Sequence, residues 1–526
     1  MARSCTRECH RSVEKSPTVS RSTPALQRAA RGSVWNLLGS GVSGVATFLL
    51  TVAVTRLASQ TEAGIFFSAT SLFLMVTSLG QLGANTGIVY FLSGARARGE
   101  LHHATTYMRT AIRPVLVVAV VLAAALFLLA DPLESLLSPG ANGGFADYMR
   151  LMALFVPCAA VLNIATSGTR GLGTMKPTAA LDQMTRPVLQ LVLVGVLLTL
   201  LGPGAISWAW SLAYLPTAVL AWWWWKRLRE RAAPQVIDPT FRPAGAFWRF
   251  SAPRALAGVA QVAMQRLDII LVGALAGLEA AAIYGAATRF LALGQMVGRA
   301  VSLSVQPLLG ESLAHKDYSG TAHLYQASTA WLVLATWPLY LVLLNFGGTV
   351  LGIFGDGYSM GDSALLILCA AMLVATACGM VDMVLIMAGR SFWNLTNVLI
   401  ALATNISLDF LLIPSHGVLG AAVGWAAALL LGNLLPLAQV FHWFRLHPFG
   451  GATLLAIAAS AVPFGLLPLA LGAVLSGGAH FVTSLALGFV VYGGALFLLR
   501  RQLQLGVLVS ALRKRKAGRK QSFSST

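Results

Sequence analysis

The sequence predicts an all-α integral membrane protein whose helices cross the bilayer many times. Hydrophobic residues make up 57% of the 526 residues and charged residues only 10%, whereas a soluble domain carries about 25% charged residues. The mean hydropathy is +0.74. A soluble fold of this length cannot bury so much apolar surface, because apolar burial saturates as domains grow. Lipid is therefore the expected solvent for most of the chain.

The individual spans follow from the length that a helix needs to cross the hydrocarbon, roughly 20 predominantly apolar residues. About fourteen stretches satisfy this rule. The fifth and sixth are separated only by the turn at Leu201–Gly204. The predicted spans are 34–56, 63–92, 111–130, 148–168, 187–202, 206–225, 250–275, 280–310, 327–347, 364–388, 394–413, 418–443, 452–475 and 480–499.

Basic residues alternate with acidic ones between the spans. The net charge is +19, and every even-numbered span is followed by a basic connection, whereas residues 131–147 and 347–363 contain acids and no Lys or Arg. Positive loops mark the cytoplasmic side, so we expect both termini in the cytoplasm. No nucleic-acid-binding pattern accompanies the charge. The basic connections include Arg96, Arg98, Arg170, Lys176, Arg186, Lys226, Arg227, Lys316, Arg390, Arg445 and Arg500.

An internal repeat predicts the domain organisation. The stretch AGIFFSAT at 63–70 opens the second predicted span, and AAIYGAAT at 281–288 opens the eighth. The repeat unit is six helices, and because six is even, both units enter the membrane from the same side, which predicts two parallel repeats. The alternative is that two apolar helices are similar by chance. The predicted order is a disordered basic cytoplasmic tail (1–32), a six-helix lobe (33–225), a cytoplasmic linker (226–249), a second six-helix lobe (250–445), helices 13 and 14 (446–500) and a basic cytoplasmic tail (501–526).

Five ionisable side chains lie inside the seventh and eighth spans: Arg254, Arg266, Asp268, Arg289 and, near the cytoplasmic end, Arg299. Such groups cost several kcal/mol in hydrocarbon unless they face a partner or a cavity. Arg266, Asp268 and Arg289 lie about 10–15 Å below the outer surface, at 1.5 Å per residue. Two interpretations stay open: an ion pair of Asp268 that joins the two helices, or a cationic patch that binds an anion such as a pyrophosphate.

Two further acids, Asp382 and Asp409, lie in the tenth and eleventh spans. They are candidates for carrying a coupling proton or cation, and solvation at a helix end is the alternative.

Several functions are not predicted. The chain contains no G-x-x-x-x-G-K-[ST] phosphate loop and no H-E-x-x-H or G-x-S-x-G motif. The cysteines show neither zinc-ligand spacing nor a disulfide framework. We therefore expect no enzyme activity, no cofactor and no metal site; a membrane-embedded enzyme is the minor alternative.

Several motifs resemble a known family. The segments 32–41 (GSVWNLLGSG), 55–57 (TRL) and 62–66 (EAGIF) resemble the N-terminal half of the bacterial polysaccharide transporters, the Wzx-type oligosaccharide flippases. The segments 253–273 and 282–287 resemble the start of that family's second half. The resemblance covers most of residues 32–445 in layout. The wider MOP superfamily also contains the MATE antiporters and the MurJ lipid II flippases.

The resemblance implies two six-helix lobes around a V-shaped cavity that opens alternately to each side. It implies a flippase for undecaprenyl-pyrophosphate-linked oligosaccharide in the bacterial cytoplasmic membrane, with membrane lipids, a polysaccharide polymerase and glycosyltransferases as partners. A MATE-like drug or cation antiporter and a lipid II flippase are the alternatives. No arginine lies between Trp35 and Thr55, so Arg56 at the end of the first span is the arginine of that span that could bind substrate. This argues against lipid II.

The charge alternation predicts which connections a membrane-impermeant thiol reagent reaches. In a background without the five native cysteines, single cysteines within 131–147 and 347–363 should be labelled from outside the cell, because these connections lack Lys and Arg. Cysteines within 226–249 should be labelled only after the membrane is permeabilised. Labelling of 226–249 in intact cells would reverse the orientation.

Overall fold

The computed structural model describes residues 23–137, 144–232 and 241–503. Helices and short connections account for these residues, and no strand occurs in these three ranges, which confirms the all-α prediction. The helices are α1 (Thr23–Leu57), α2 (Gln60–Gly80), α3 (Ala84–Arg98), α4 (Ala104–Leu128), α5 (Ala130–Leu137), α6 (Gly144–Ala153), α7 (Val156–Gly171), α8 (Arg186–Leu201), α9 (Ile206–Leu212), α10 (Tyr214–Ala232), α11 (Ala244–Ala276), α12 (Leu278–Ala314), α13 (Tyr318–Leu351), α14 (Asp362–Ala377), α15 (Val381–Met387), α16 (Ser391–Phe444), α17 (Gly451–Ala461), α18 (Leu467–Leu471) and α19 (Gly477–Leu499).

The helices confirm a multi-pass membrane protein. Among the described residues, eleven helical stretches are long and apolar enough to cross a membrane, or up to twelve if the bent pair α6 and α7 forms one span. The predicted total of about fourteen is not confirmed by this measure. Helix α12 is not among the eleven, and α16 is counted once.

Helix α16 is a hairpin of two antiparallel arms. Gly417 has φ 54° and ψ −128°, which breaks the helix. The carboxamides of Asn397 and Gln439 exchange two hydrogen bonds of 2.8 and 3.0 Å. In a straight helix these residues would lie about 60 Å apart, so the arms must fold back on each other. The arms match the separate spans predicted at 394–413 and 418–443.

The predicted terminal tails and linker are partly helical. Helix α1 begins at Thr23, so residues 23–32 are not a disordered tail where the structure describes them. Pro24 suits the first turn of a helix, because its missing N–H is unpaired there in any case. Helix α10 continues to Ala232 and α11 begins at Ala244, so helices take up much of the predicted linker 226–249. The predicted segments within 1–22, 233–240 and 504–526 lie outside the described residues.

The longest predicted outer connection, 131–147, also contains helical structure. Helix α5 and the start of α6 occupy its described part. Arg150 of α6 forms salt bridges with Asp131 and Asp147. The Glu134 carboxylate accepts a 3.0 Å hydrogen bond from the backbone N–H of Ala146. These contacts hold the two short helices together.

The two repeated sequence stretches contact each other directly. Both lie in the first turns of their helices, α2 and α12, and α2 packs against both α11 and α12. A Cβ atom at Gly64 would lie 1.9 Å from the carbonyl oxygen of Leu278, and one at Gly285 would lie 2.7 Å from the Phe67 ring. Glycine therefore allows a close approach that larger residues would block. The two-lobe symmetry itself remains a prediction.

The hairpin of α16 predicts a specific stability effect. Gly417→Ala should lower the free energy of unfolding by about 1–3 kcal/mol, because alanine rarely adopts a backbone conformation with positive φ. Gly195→Ala is the matched control, since a Cβ there meets nothing within 4 Å; it should be neutral or stabilise by about 0.5–1 kcal/mol. The measurement is thermal unfolding of the purified variants in detergent. Equal melting temperatures for both variants would contradict the hairpin.

Candidate functional site

Helix α11 separates the charged residues that were predicted to form one network. Arg266 and Asp268 are two positions apart, and residues at that spacing do not share a helix face. In the part of the chain that the structure describes, no salt bridge includes Arg266, Asp268 or Arg289. The predicted ion pair of Asp268 is therefore absent. The pairing was predicted because the residues share a depth in the membrane. Arg266 and Asp268 do not pair, because their side chains point in different directions around α11.

Two arginines on one side of α11 and α12 form part of a cationic cluster. Arg289 places its guanidinium carbon 5.3 Å from the centre of the Phe67 ring. Its Nε is buried without a hydrogen-bond partner among the described residues. The charge of Arg266 lies close enough to interact with both Arg289 and Tyr214. An anion at this place would supply the acceptors that these guanidinium groups lack.

A third arginine, Arg186, joins this cluster from α8. Its guanidinium donates to Gln190 at 3.2 Å and to the Tyr214 hydroxyl at 3.4 Å, and it pairs with Asp182 at 3.1 Å. Because the charge of Arg266 also acts on Tyr214, this residue links the two parts electrostatically. We call Arg186, Arg266, Arg289, Asp182 and Tyr214 the central cationic cluster. It contains three guanidinium groups and one carboxylate, so it carries excess positive charge.

Sequence reasoning missed Arg186 because it assigned the residue to a cytoplasmic connection. In the structure a π-helix over Thr178–Thr185 leads directly into α8, so Arg186 lies about 12 Å inside the helical span that begins at residue 178. The spacing of Asp182, Arg186 and Gln190, each four residues apart, was the available signal. Residues at that spacing share a helix face.

Asp268 belongs to a separate acidic cluster on the other side of α11. It accepts a 2.8 Å hydrogen bond from the Tyr284 hydroxyl and also interacts with the side chains of Asn405 and Asp409. Asp268, Asn405 and Asp409 are at most 3% exposed. We call these four residues the acidic cluster. Sequence reasoning identified both carboxylates but missed Tyr284 and Asn405, whose neutral side chains gave no signal.

The acidic cluster has room for a further group. One oxygen of Asp268 and one of Asp409 are buried without a hydrogen-bond partner in the described part of the chain. A Cβ atom at Gly424 would lie 2.4 Å from Asp409 Oδ1, so the glycine keeps space beside the carboxylate. Two buried carboxylates in one site cannot both stay ionised without a cation. The cluster can therefore hold a proton or a cation.

Asp382 does not join either cluster. It is exposed in the first turn of α15, directly after the break at Gly379, whose φ is 67°. Among the described residues no hydrogen bond or salt bridge links it to Asp268 or Asp409. A helix N-terminus favours a negative charge, which gives Asp382 a structural explanation; its role in ion coupling stays a prediction.

Arg56 connects the end of α1 to the end of α13. Its guanidinium donates two 2.7 Å hydrogen bonds, to the carbonyl oxygens of Gly352 and Ile353. These carbonyls follow the last turn of α13, where a cation is favoured. Arg56 therefore holds two distant segments of the chain together, far from the central cationic cluster in sequence and on a different helix.

Three aromatic rings join α1 and α12 to the segment that follows α13. Phe48 of α1 lies 5.4 Å from Phe290 of α12 and 5.6 Å from Phe354, and the last two rings are 5.4 Å apart. Edge-on and tilted rings at these distances attract one another. We call Phe48, Phe290, Phe354 and Arg56 the outer closure, because they join α1 to the segment that follows α13 and the charge alternation predicts the outer side for this end of α1.

Arg254 lies at the opposite end of α11. Its guanidinium carbon is 3.6 Å from the centre of the Phe250 ring, and Nη1 donates a 3.0 Å hydrogen bond to the Phe250 carbonyl. Twelve residues separate it from Arg266, which is about 18 Å along the helix. The predicted substrate-binding residues thus occupy three places: the central cationic cluster, the outer closure and the Phe250 end of α11.

Comparisons with known proteins agree with the sequence resemblance. Residues 29–312, more than half of the chain, match the family described as polysaccharide biosynthesis protein. Residues 253–411 match the MatE family. The chain is 21% identical over 448 residues to a protein of Haloferax volcanii named probable low-salt glycan biosynthesis flippase Agl15, covering 82% of the chain and 88% of that relative.

Solved structures show the fold. The lipid II flippase MurJ in an inward closed conformation is similar with a TM-score of 0.69 at 12% identity, over 89% of this chain and 99% of that one. An inward-facing MATE family multidrug resistance transporter of the MOP superfamily gives 0.62 at 15% identity, over 77% and 94%. The chain therefore has the fold of the MATE and MurJ transporters.

The hydrogen bond from Tyr284 to Asp268 predicts a stability difference between two buried tyrosines. Tyr284→Phe should destabilise the protein by about 1–3 kcal/mol, because Asp268 loses a donor in a buried site. Tyr340→Phe is the matched control: that hydroxyl is buried without a partner among the described residues, so its removal should be neutral or stabilising. Thermal unfolding in detergent measures both. A Tyr340→Phe protein that loses more stability than Tyr284→Phe would contradict the assignment.

Proposed function

The chain belongs to the polysaccharide biosynthesis protein family, and we propose that it carries a lipid-linked oligosaccharide across the membrane by alternating access. The central cationic cluster carries this proposal. Its three arginines come from α8, α11 and α12, so a ligand bound there contacts both halves of the chain. The named glycan flippase among its relatives supports the same substrate class.

The chemistry of the cluster fits a pyrophosphate. Guanidinium groups present planar pairs of N–H donors that match two phosphate oxygens at once. Charges interact more strongly in a low-dielectric interior than in water, so an anion that bridges Arg266 and Arg289 would relieve their mutual repulsion. An undecaprenyl-pyrophosphate carrier supplies such an anion, and its lipid tail can stay in the bilayer.

A cationic drug fits the same cluster poorly. Such a substrate requires acidic or aromatic walls, whereas three arginines face one carboxylate here, and that carboxylate is already paired with Arg186. The MATE-like antiporter is therefore the second candidate. A lipid II flippase is a third, because the fold is shared with MurJ, although Arg56 of α1 bonds to backbone carbonyls in the outer closure.

Alternating access assigns a role to the outer closure. For the molecule to open on this side, the two hydrogen bonds of Arg56 and the contacts among Phe48, Phe290 and Phe354 have to break. Substrate bound at the central cationic cluster would then leave on this side, after entering from the other. The positive connections predict that this side is the outside of a bacterial cell, with both termini in the cytoplasm.

The acidic cluster is the proposed coupling site. A proton or a monovalent cation between Asp268 and Asp409 would neutralise one buried charge. Because α11 carries residues of both clusters, occupation of one affects the electrostatic potential at the other. Asp382 remains a weaker prediction for this role. Transport in this scheme needs neither catalysis nor a cofactor; glycosyltransferases and a polymerase would make and consume the cargo.

The conservative substitution Arg289→Lys tests the substrate. It keeps the charge but removes the planar pair of donors that fits a pyrophosphate. The purified variant should reach liposomes in normal amount, yet move a fluorescent undecaprenyl-pyrophosphate disaccharide at least about tenfold more slowly, a loss of about 1.4 kcal/mol in transition-state binding. Arg150→Lys, in the exposed salt bridges of α6, is the matched control and should transport normally.

Three outcomes would count against the proposal. Normal transport by Arg289→Lys would show that the arginine is structural. Movement of ethidium but not of the glycan by the wild-type protein would favour the drug antiporter. The coupling role of the acidic cluster is tested in two ways: collapse of both the proton and the sodium gradient, and the substitution Asp409→Asn. Each should abolish accumulation of the glycan in one leaflet. Unchanged accumulation would remove the acidic cluster from the mechanism.

A further inference from the structure

A cavity of about 410 Å³ opens between the end of α3 and the start of α4. Helix α3 ends at Arg98 and α4 begins at Ala104, so the cavity lies beside the connection between them. Its volume is in the range of small-molecule sites. Neither the central cationic cluster nor the acidic cluster contributes to it. The lining residues are Tyr90, Phe91, Ser93, Gly94, Arg98 and Tyr107.

Neighbouring rings hold the aromatic walls of this cavity in place. Tyr90 stacks on Phe250 of α11, with ring centres 4.1 Å apart and planes 20° apart. Phe91 stacks on Tyr107 at 5.5 Å and contacts Phe247 at the same distance. Tyr90 is nevertheless 57% exposed. A ring that is fixed by its neighbours but still exposed can bind a flat apolar surface at little cost in conformational entropy.

The polar groups of the cavity are matched in charge. Arg98 Nε lies 2.8 Å from Glu100 Oε2, and the hydrogen bond and charge of Glu100 raise the pKa of Arg98 above its ordinary value. The remaining polar groups are the hydroxyls of Ser93, Tyr90 and Tyr107. Because no unpaired charge lines the cavity, its chemistry suits a neutral polyol better than a phosphate.

Gly94 creates the space. A Cβ atom there would meet only Arg98 Nη1, at 3.3 Å. A larger side chain at this position would therefore extend into the cavity without displacing the helix backbone. This makes residue 94 a place where the cavity can be filled while α3 stays intact.

We propose that this cavity binds one neutral sugar ring of the lipid-linked oligosaccharide, an inference that rests on the proposed function. A pyranose has an apolar C–H face that stacks on Tyr90 and an edge of hydroxyls that bond to Ser93, Arg98 and Glu100. The sugars of a lipid-linked glycan lie just outside the hydrocarbon, at the depth where α3 ends. The cavity therefore selects cargo by its sugar, and the central cationic cluster binds the pyrophosphate.

Binding of simple glycosides to the full-length protein in lipid nanodiscs tests this directly. The probes are the methyl glycosides of glucose, galactose, mannose and N-acetylglucosamine, measured by saturation-transfer NMR. At least one should bind saturably, and Gly94→Leu should weaken that binding by about tenfold or more. Gly195→Leu is the matched control, a helical glycine with nothing within 4 Å of its Cβ position, and should leave binding unchanged.

Transport separates this inference from the proposed function. Gly94→Leu should raise the glycan concentration for half-maximal flipping with little change in the maximal rate, as expected for a lost binding contact. No binding of any glycoside, or equal binding by Gly94→Leu and wild type, would overturn the sugar site. Loss of copurifying phospholipid in Gly94→Leu, with glycoside binding intact, would assign the cavity to a lipid headgroup instead. Failure of the wild-type protein to move glycan, with glycoside binding intact, would overturn the proposed function alone.

Discussion

The cost of placing ionisable groups in hydrocarbon governs the organisation of this molecule, and α11 is where it acts most directly. Each charge in a span needs a partner, a cavity or a neutralising ligand. Arg266 and Asp268 differ by only about 3 Å in depth, yet they point to different sides of the helix. One helix thus contributes a cation to one cluster and an anion to another, and neither charge cancels the other.

This separation leaves opposite charges on two sides of one helix, which the proposed binding of an anion and of a cation requires. Tyr284 donates to Asp268 on one side of α11, and the charge of Arg266 acts on Tyr214 on the other. An anion at the central cationic cluster and a cation at the acidic cluster would attract each other across the helix, because screening by salt is weak in a buried site. Had the predicted ion pair formed between Arg266 and Asp268, each cluster would have lost one of its charges.

The sequence predicted what depends on spacing along the chain and missed what depends on direction around a helix. Composition and span length were enough for the all-α membrane fold, and the polar break before Gly417 separated the two arms of α16 correctly. Arg186 was assigned to a connection because a π-helix, which no apolar pattern marks, carries the helical span back to residue 178. Tyr284 and Asn405 were missed because neutral side chains become informative only when a carboxylate is seen beside them.

The outer closure consists of a few separate contacts, which have to break in the alternating access that we propose. A hydrogen bond to a charged group contributes about 1.5–3 kcal/mol, and an aromatic pair about 0.5–1.5 kcal/mol. Arg56 makes two hydrogen bonds to backbone carbonyls from an exposed guanidinium, where water reduces their contribution, and three ring contacts join Phe48, Phe290 and Phe354. Reversing a two-state population from 1:99 to 99:1 takes about 5.5 kcal/mol. In the alternating access that we propose, a ligand that binds the three arginines has to offset these contacts before this side can open.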